Sequence, residues 1–145
     1  MIQRKQSLWL LLAALVNAGL FYFALYKSDI IQNGITVVQN VRVNDHYPSL
    51  IVALVITLIP AIAIFMYKSR TKQRNMALFA VVANIGFIAS TLMRVSNLNN
   101  GTSAPVNGTY WIGSVLPIIS VVFLFMAISG IRKDEKLVKS LDRLR

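Results

Sequence analysis

The stretch YWIGSVLPIISVVFLFMAISGI, residues 110–131, contains no Asp, Glu, Lys or Arg. A helix that crosses the hydrocarbon core of a bilayer needs about 20 mostly apolar residues, and this stretch supplies them. Working outward from it, three further runs have the same character: Leu8–Tyr26, Ser49–Tyr67 and Met76–Met93. The whole chain of 145 residues is 56% hydrophobic and 14% charged. A soluble domain has about 45–50% apolar and about 25% charged residues, so lipid is the expected solvent. The sequence therefore predicts an all-α integral membrane protein. Its four transmembrane helices, at about 8–26, 49–67, 76–93 and 110–131, form a domain over residues 1–131, and residues 132–145 form a basic tail.

Charge sets the expected orientation. The formal net charge is +10, which in a soluble protein would point to nucleic acid. In a membrane protein the position of the charge matters more. Twelve basic residues fall on one side: Arg4 and Lys5, then Lys68, Arg70, Lys72 and Arg74, then Arg132, Lys133, Lys136, Lys139, Arg143 and Arg145. Three fall on the other: Lys27, Arg42 and Arg94. Because Lys and Arg are retained on the cytoplasmic side, both termini are expected inside, with outward loops at about 28–48 and 94–109. The first run has the basic start of a signal peptide, but its apolar stretch exceeds the ~7–15 residues of a signal core. It reads as an uncleaved anchor. Trp9 and Tyr67 inside, and Tyr22, Tyr26, Tyr47, Tyr110 and Trp111 outside, fit interfacial aromatic belts.

The first outward loop carries β-branched residues at Ile35–Val38 and Val41–Val43 around Gln39-Asn40, the pattern of a short hairpin. An amphipathic segment lying on the bilayer is the competing reading. The second, SNLNNGTSAPVNGTY, reads as turns. Its Asn100-Gly101-Thr102 and Asn107-Gly108-Thr109 match the glycosylation sequon, but Asn-Gly is more simply a turn dipeptide.

No catalytic constellation is visible. The absence of cysteine excludes disulfides and thiolate metal sites. The single histidine, His46, has no converging partners of the kind a catalytic or metal site needs. No phosphate-binding or dinucleotide glycine pattern occurs, and no cofactor is expected. No acidic residue lies within a span, which argues against a carboxylate proton relay. What the spans contain is mild polarity. Asn17, Thr57, Asn84 and Ser120 all fall ~12–15 Å from the inner ends of their helices, so they are expected to share one layer near mid-membrane. Such residues hydrogen-bond between helices. The same layer could instead serve as a polar path. Pro60 and Pro117 each remove a backbone bond inside a span, as a tolerated kink or as a hinge.

The closing stretch GIRKDEKLVKSLDRLR follows the fourth span directly. Leu137, Leu141 and Leu144 recur at helical spacing with Val138 beside them. Glu135 precedes Lys139 by four residues, the favourable order for an ion pair. Asp134 and Glu135 suit the first turn of a helix restarting after Gly130. An amphipathic cytoplasmic helix is expected here. Its leucine face and Arg132, Lys133 and Lys136 are placed to dock on a partner or on anionic lipid headgroups. RNA is a weaker candidate for the same cations.

The start MIQRKQSLWLLLAAL and the end IRKDEKLVKSLDRLR together resemble the Bacteroidota membrane family catalogued as domain of unknown function 4293, and YKSRTKQR is a looser match. The resemblance implies a bacterial inner-membrane protein and assigns no activity. The expected function is a non-enzymatic accessory or structural subunit of an inner-membrane complex, with secretion, translocation and respiratory machinery as candidate hosts. The alternative is a small transporter or channel built on the mid-membrane polar layer.

Overall fold

The computed structural model describes residues 5–32, 35–100, 105 and 107–142. Four α-helices, α1 (Lys5–Ala18), α2 (Tyr47–Phe65), α3 (Arg70–Asn99) and α4 (Ile112–Asp142), are joined by three strands, β1 (Tyr26–Gln32), β2 (Ile35–Val41) and β3 (Asn107–Tyr110). Short 3-10 helices at Gly19–Phe21 and Val43–Asp45 complete the described elements. The helices pack in sequence order into a closed ring: α1 on α2, α2 on α3, α3 on α4 and α4 back on α1. Three of them are long and apolar enough to cross a membrane, Tyr47–Phe65, Arg70–Asn99 and Ile112–Val138. The chain is thus a mainly helical membrane protein with a small sheet.

The first run departs from expectation. Its helix, with the 3-10 extension, covers Lys5–Phe21 and is shorter than the other three. The chain then turns at Tyr22–Leu25 and enters β1 at Tyr26. Apolarity continues through this bend because Ala24, Leu25 and Tyr26 are buried; an apolar run does not by itself distinguish helix from buried strand.

The chain is therefore not all-α. β1 is the central strand of an antiparallel sheet of order β2-β1-β3. Gln32 pairs with Ile35 and Tyr26 with Val41, so the two strands meet across residues 33–34, which lie outside the described residues, and not at Gln39-Asn40. The β-branched runs on either side of Gln39-Asn40 are not two strands: Ile35–Val41 is one strand, and Val43 opens a 3-10 turn. On the other side Tyr26 pairs with Tyr110 and Ser28 with Gly108. Asn107-Gly108 is thus in a strand, not a turn. Gly108 is required there, because a Cβ would fall on the Tyr26 ring. Tyr26 is 4% exposed and packs with Val41 and Val95, so it is a core residue and not a belt residue. Its hydroxyl donates to Asn99 Oδ1 at 3.1 Å.

The tail also differs. α4 runs through Gly130 without a break. Gly130 lies against Gln6 of α1, a close approach that explains the glycine without a helix end. At 31 residues, α4 is ~46 Å long at 1.5 Å per residue, so its last turns project well beyond an apolar slab ~30 Å thick. Similarly, Arg70, Lys72 and Arg74 are not loop residues but the first two turns of α3.

Candidate functional site

Two clusters of buried apolar side chains fill the ring. One, towards the end that holds Lys5 and Arg70, contains Leu10, Ile59, Ala77, Val81, Leu124 and Ile128. The other, towards the sheet, contains Leu20, Leu25, Val43, Ala53, Ile56 and Phe87. Between them each helix contributes one polar residue. Asn17 lies between Leu10 and Leu20, Asn84 between Val81 and Phe87, and Ser120 just before Leu124, all three fully buried. Thr57 sits between Ile56 and Ile59 and is half-buried. The four residues expected to form a layer therefore mark the boundary between the two apolar clusters.

The bonding within the layer has a specific cause. In an α-helix the carbonyl of residue i accepts from the N–H of residue i+4. Pro60 has no N–H, so the carbonyl of Ile56 loses its partner inside α2. Asn17 Nδ2 of α1 donates to that carbonyl at 2.8 Å. A freed backbone group at membrane depth is thus satisfied by a neighbouring helix, the condition under which a proline is tolerated there. Ser120 Oγ of α4 donates to Ala13 O of α1 at 3.4 Å, a long bond that ties α4 to the same helix. Asn84 Nδ2 and Thr57 Oγ1 donate within their own helices, to Ala80 O and Ala53 O. Asn17 and Asn84 do not bond to one another in the described structure, contrary to the pairing their depth suggests. Asn17 Oδ1 and Asn84 Oδ1 are buried without a partner among the described residues. The layer contains no ionisable side chain and is capped above and below by apolar clusters. Chemically it can hold helices in register; it has no group that exchanges a proton near neutral pH.

The end opposite the sheet is tied by a different set. Gln73, fully buried, donates from Nε2 to Ala63 O at 3.0 Å. Ala63 O, in the last turn of α2, also accepts from Met66 N at 3.2 Å, so Gln73 adds a second, interhelical donor to a carbonyl at the helix end. Arg70 Nη1 donates to Asp134 O at 2.8 Å and Arg74 Nη1 to Glu135 Oε2 at 2.8 Å. Asp134 and Glu135 therefore do not start a new helix; they lie mid-helix beside the cationic first turns of α3. Three basic residues at a helix N-terminus oppose its dipole, and Glu135 offsets part of that charge. Arg132, Lys133 and Lys136 are exposed on α4. Leu137 and Val138 are exposed to 63% and 38%, so the apolar face of the projecting helix is uncovered. Leu141 lies on the same helix, and its side chain, like all of Leu144, is outside the described residues.

At the sheet end, His46 is the N-cap of α2: its Nδ1 accepts from Ser49 N at 3.3 Å. Among the described residues no three His, Cys, Asp or Glu side chains converge on a metal-sized space. Arg94 donates to Arg42 O at 3.1 Å, and Lys27 Nζ stands 3.7 Å over the Trp111 ring, so these two cations have local structural contacts. Sequence reading missed Gln6, Gln73 and the Arg70–Arg74 clamp. The signal was present for the glutamines, since each sits just inside the charged end of a helix, where an uncharged side chain can cap a neighbour.

The chain belongs to the family described as a domain of unknown function, DUF4293, whose model matches residues 2–144. Comparison with curated proteins and with solved structures finds no match.

Proposed function

We propose that this chain is a non-enzymatic accessory subunit of a bacterial inner-membrane protein complex, with four membrane crossings and both termini in the cytoplasm. The observation that carries the reading is the sealed polar layer. A conduit needs polar groups that continue along the membrane normal, and here Asn17, Asn84 and Ser120 are enclosed by apolar clusters on both sides. α1 supports a crossing because its 17 residues with the 3-10 extension reach the lower end of the roughly 17–25 residues a span requires. The basic residues described at the α1–α3–α4 end, among them Lys5, Arg70, Lys72, Arg74, Arg132 and Lys133, support the cytoplasmic assignment. The functional surface in this reading is the projecting part of α4. It is braced by Arg74 against Glu135 and presents Leu137 and Val138 between lysines. Its partner is a cytoplasmic segment of another membrane protein that offers apolar residues flanked by carboxylates.

The test is affinity purification in mild detergent, with identification of co-purifying proteins. A stoichiometric partner is expected with the native chain and is expected to be lost from Leu137→Glu with Leu141→Glu. A chain that purifies alone and supports solute flux in liposomes would instead favour a small transporter. The specific observation on that side is the pair of amide oxygens, on Asn17 and Asn84, that have no partner among the described residues.

A further inference from the structure

At the cytoplasm-assigned end, Arg74 of α3 and Ser129, Arg132, Lys133, Glu135 and Lys136 of α4 line a cleft of about 440 Å³. We propose that this cleft holds the headgroup phosphate of an anionic glycerophospholipid. The volume lies in the roughly 300–1,000 Å³ range of small-ligand sites. Four of its six lining residues are cationic. The one carboxylate, Glu135, is bonded to Arg74 at 2.8 Å, which offsets its repulsion of an anion and leaves Arg132, Lys133 and Lys136 to set the potential. Basic pockets between helices at this level of a membrane are suited to anionic headgroups.

The surface above the cleft selects lipid over soluble phosphate. Ile118, Val122 and Phe125 of α4 are exposed to 53%, 53% and 54%. Their spacings of four and three, followed by four to Ser129, place them in one line on the helix. From Ile118 to Ser129 the line is ~17 Å long, about half the ~30 Å hydrocarbon core and hence the depth of one leaflet. An acyl chain lying on this line brings its phosphate to Ser129 and Arg132. Inorganic phosphate would gain nothing from the apolar line. This inference requires the helices to span a bilayer but is independent of the subunit reading.

The experiment is native mass spectrometry of the full chain, released from detergent containing equal phosphatidylglycerol and phosphatidylcholine. The native chain is expected to retain phosphatidylglycerol preferentially. Arg132→Gln with Lys136→Gln should weaken that retention by about fivefold per charge removed. Ser129→Phe, which fills the cleft at unchanged charge, should abolish the preference. Lys68→Gln with Lys72→Gln removes the same charge from the same end outside the cleft and should leave the preference intact; circular dichroism checks that each variant is folded. Equal loss in the Lys68/Lys72 variant, or no loss in Ser129→Phe, would reduce the effect to diffuse attraction and overturn the site. Full displacement of phosphatidylglycerol by inorganic phosphate would reassign the cleft to a soluble anion and equally overturn the lipid proposal.

Discussion

The bond from Asn17 to the carbonyl that Pro60 leaves open can be isolated with a double-mutant cycle. Asn17→Leu removes Nδ2 from its 2.8 Å contact with Ile56 O and strands that carbonyl in an apolar interior. An unsatisfied buried acceptor costs about 1–3 kcal/mol. The same substitution also removes Asn17 Oδ1, itself buried without a partner among the described residues, so a second contribution of similar size has the opposite sign. The single variant is thus expected to be nearly neutral and would be uninformative alone. Pro60→Ala changes the balance: the substituted alanine supplies the missing N–H, Ile56 O regains its intrahelical donor, and Asn17→Leu no longer strands anything. In that background Asn17→Leu should be stabilising. The coupling energy is expected to be about 1–3 kcal/mol, well above the ~0.6 kcal/mol average of interhelical bonds in membrane proteins. Both variants and the double variant would be unfolded in mixed micelles of rising dodecyl sulfate, followed by fluorescence of Trp9 and Trp111. An Asn17→Leu effect that agrees within about 0.5 kcal/mol in the two backgrounds would show that Asn17 does not serve the Pro60 position.

Three further outcomes follow from the same geometry. In intact cells, a cysteine at Thr71 should be protected from an impermeant thiol reagent and one at Asn44 should react; the reverse pattern sinks the proposed orientation. Gly108→Ala places a methyl group on the Tyr26 ring and should cost about 1–3 kcal/mol as overpacking, read as a lower thermal midpoint, whereas an unchanged midpoint would mean that Tyr26 does not lie under β3. Arg74→Gln removes a partly exposed ion pair and should cost no more than about 1 kcal/mol of overall stability, yet speed protease cleavage of α4 beyond Ile131; identical cleavage would show that the clamp does not brace the projecting helix.

The helices are legible in the sequence because each carries a long apolar run, and three keep membrane-crossing length in the structure. Asn17 and Ser120 donate between helices as their depth suggests, whereas Thr57 and Asn84 donate within their own helices, which distance from a helix end does not reveal. The sheet is only half legible. β2 shows its β-branched residues openly, but β1 contains Lys27, Ser28 and Asp29 and borders the apolar aromatics Phe21–Phe23, so it merges with the end of the first span. β3 cannot be read locally at all. Its Asn-Gly-Thr-Tyr is turn-like in isolation and becomes a strand through pairing with β1. Asn33-Gly34 is the stronger hairpin dipeptide, but the β-branched residues on both sides of Gln39-Asn40 imitate a pair of strands and mask it. Gly130 suggests a helix break because a glycine beside charge resembles a C-cap; its contact with Gln6 is a long-range fact that no local pattern contains.

The bend after α1 has a consequence for biogenesis. Its backbone finds partners far along the chain: Ala24 O accepts from Gly113 N, Leu25 O from Trp111 N, and Leu25 N donates to Val41 O. Unpaired peptide groups at this depth are costly, yet the groups that satisfy two of the three are made only after the ribosome has passed α3. A nascent chain holding only α1 to α3 would leave Ala24 O and Leu25 O without these partners. Closure would arrive with the start of α4, which makes the earliest helix dependent on the latest one and turns assembly of the ring into a checkpoint on complete synthesis.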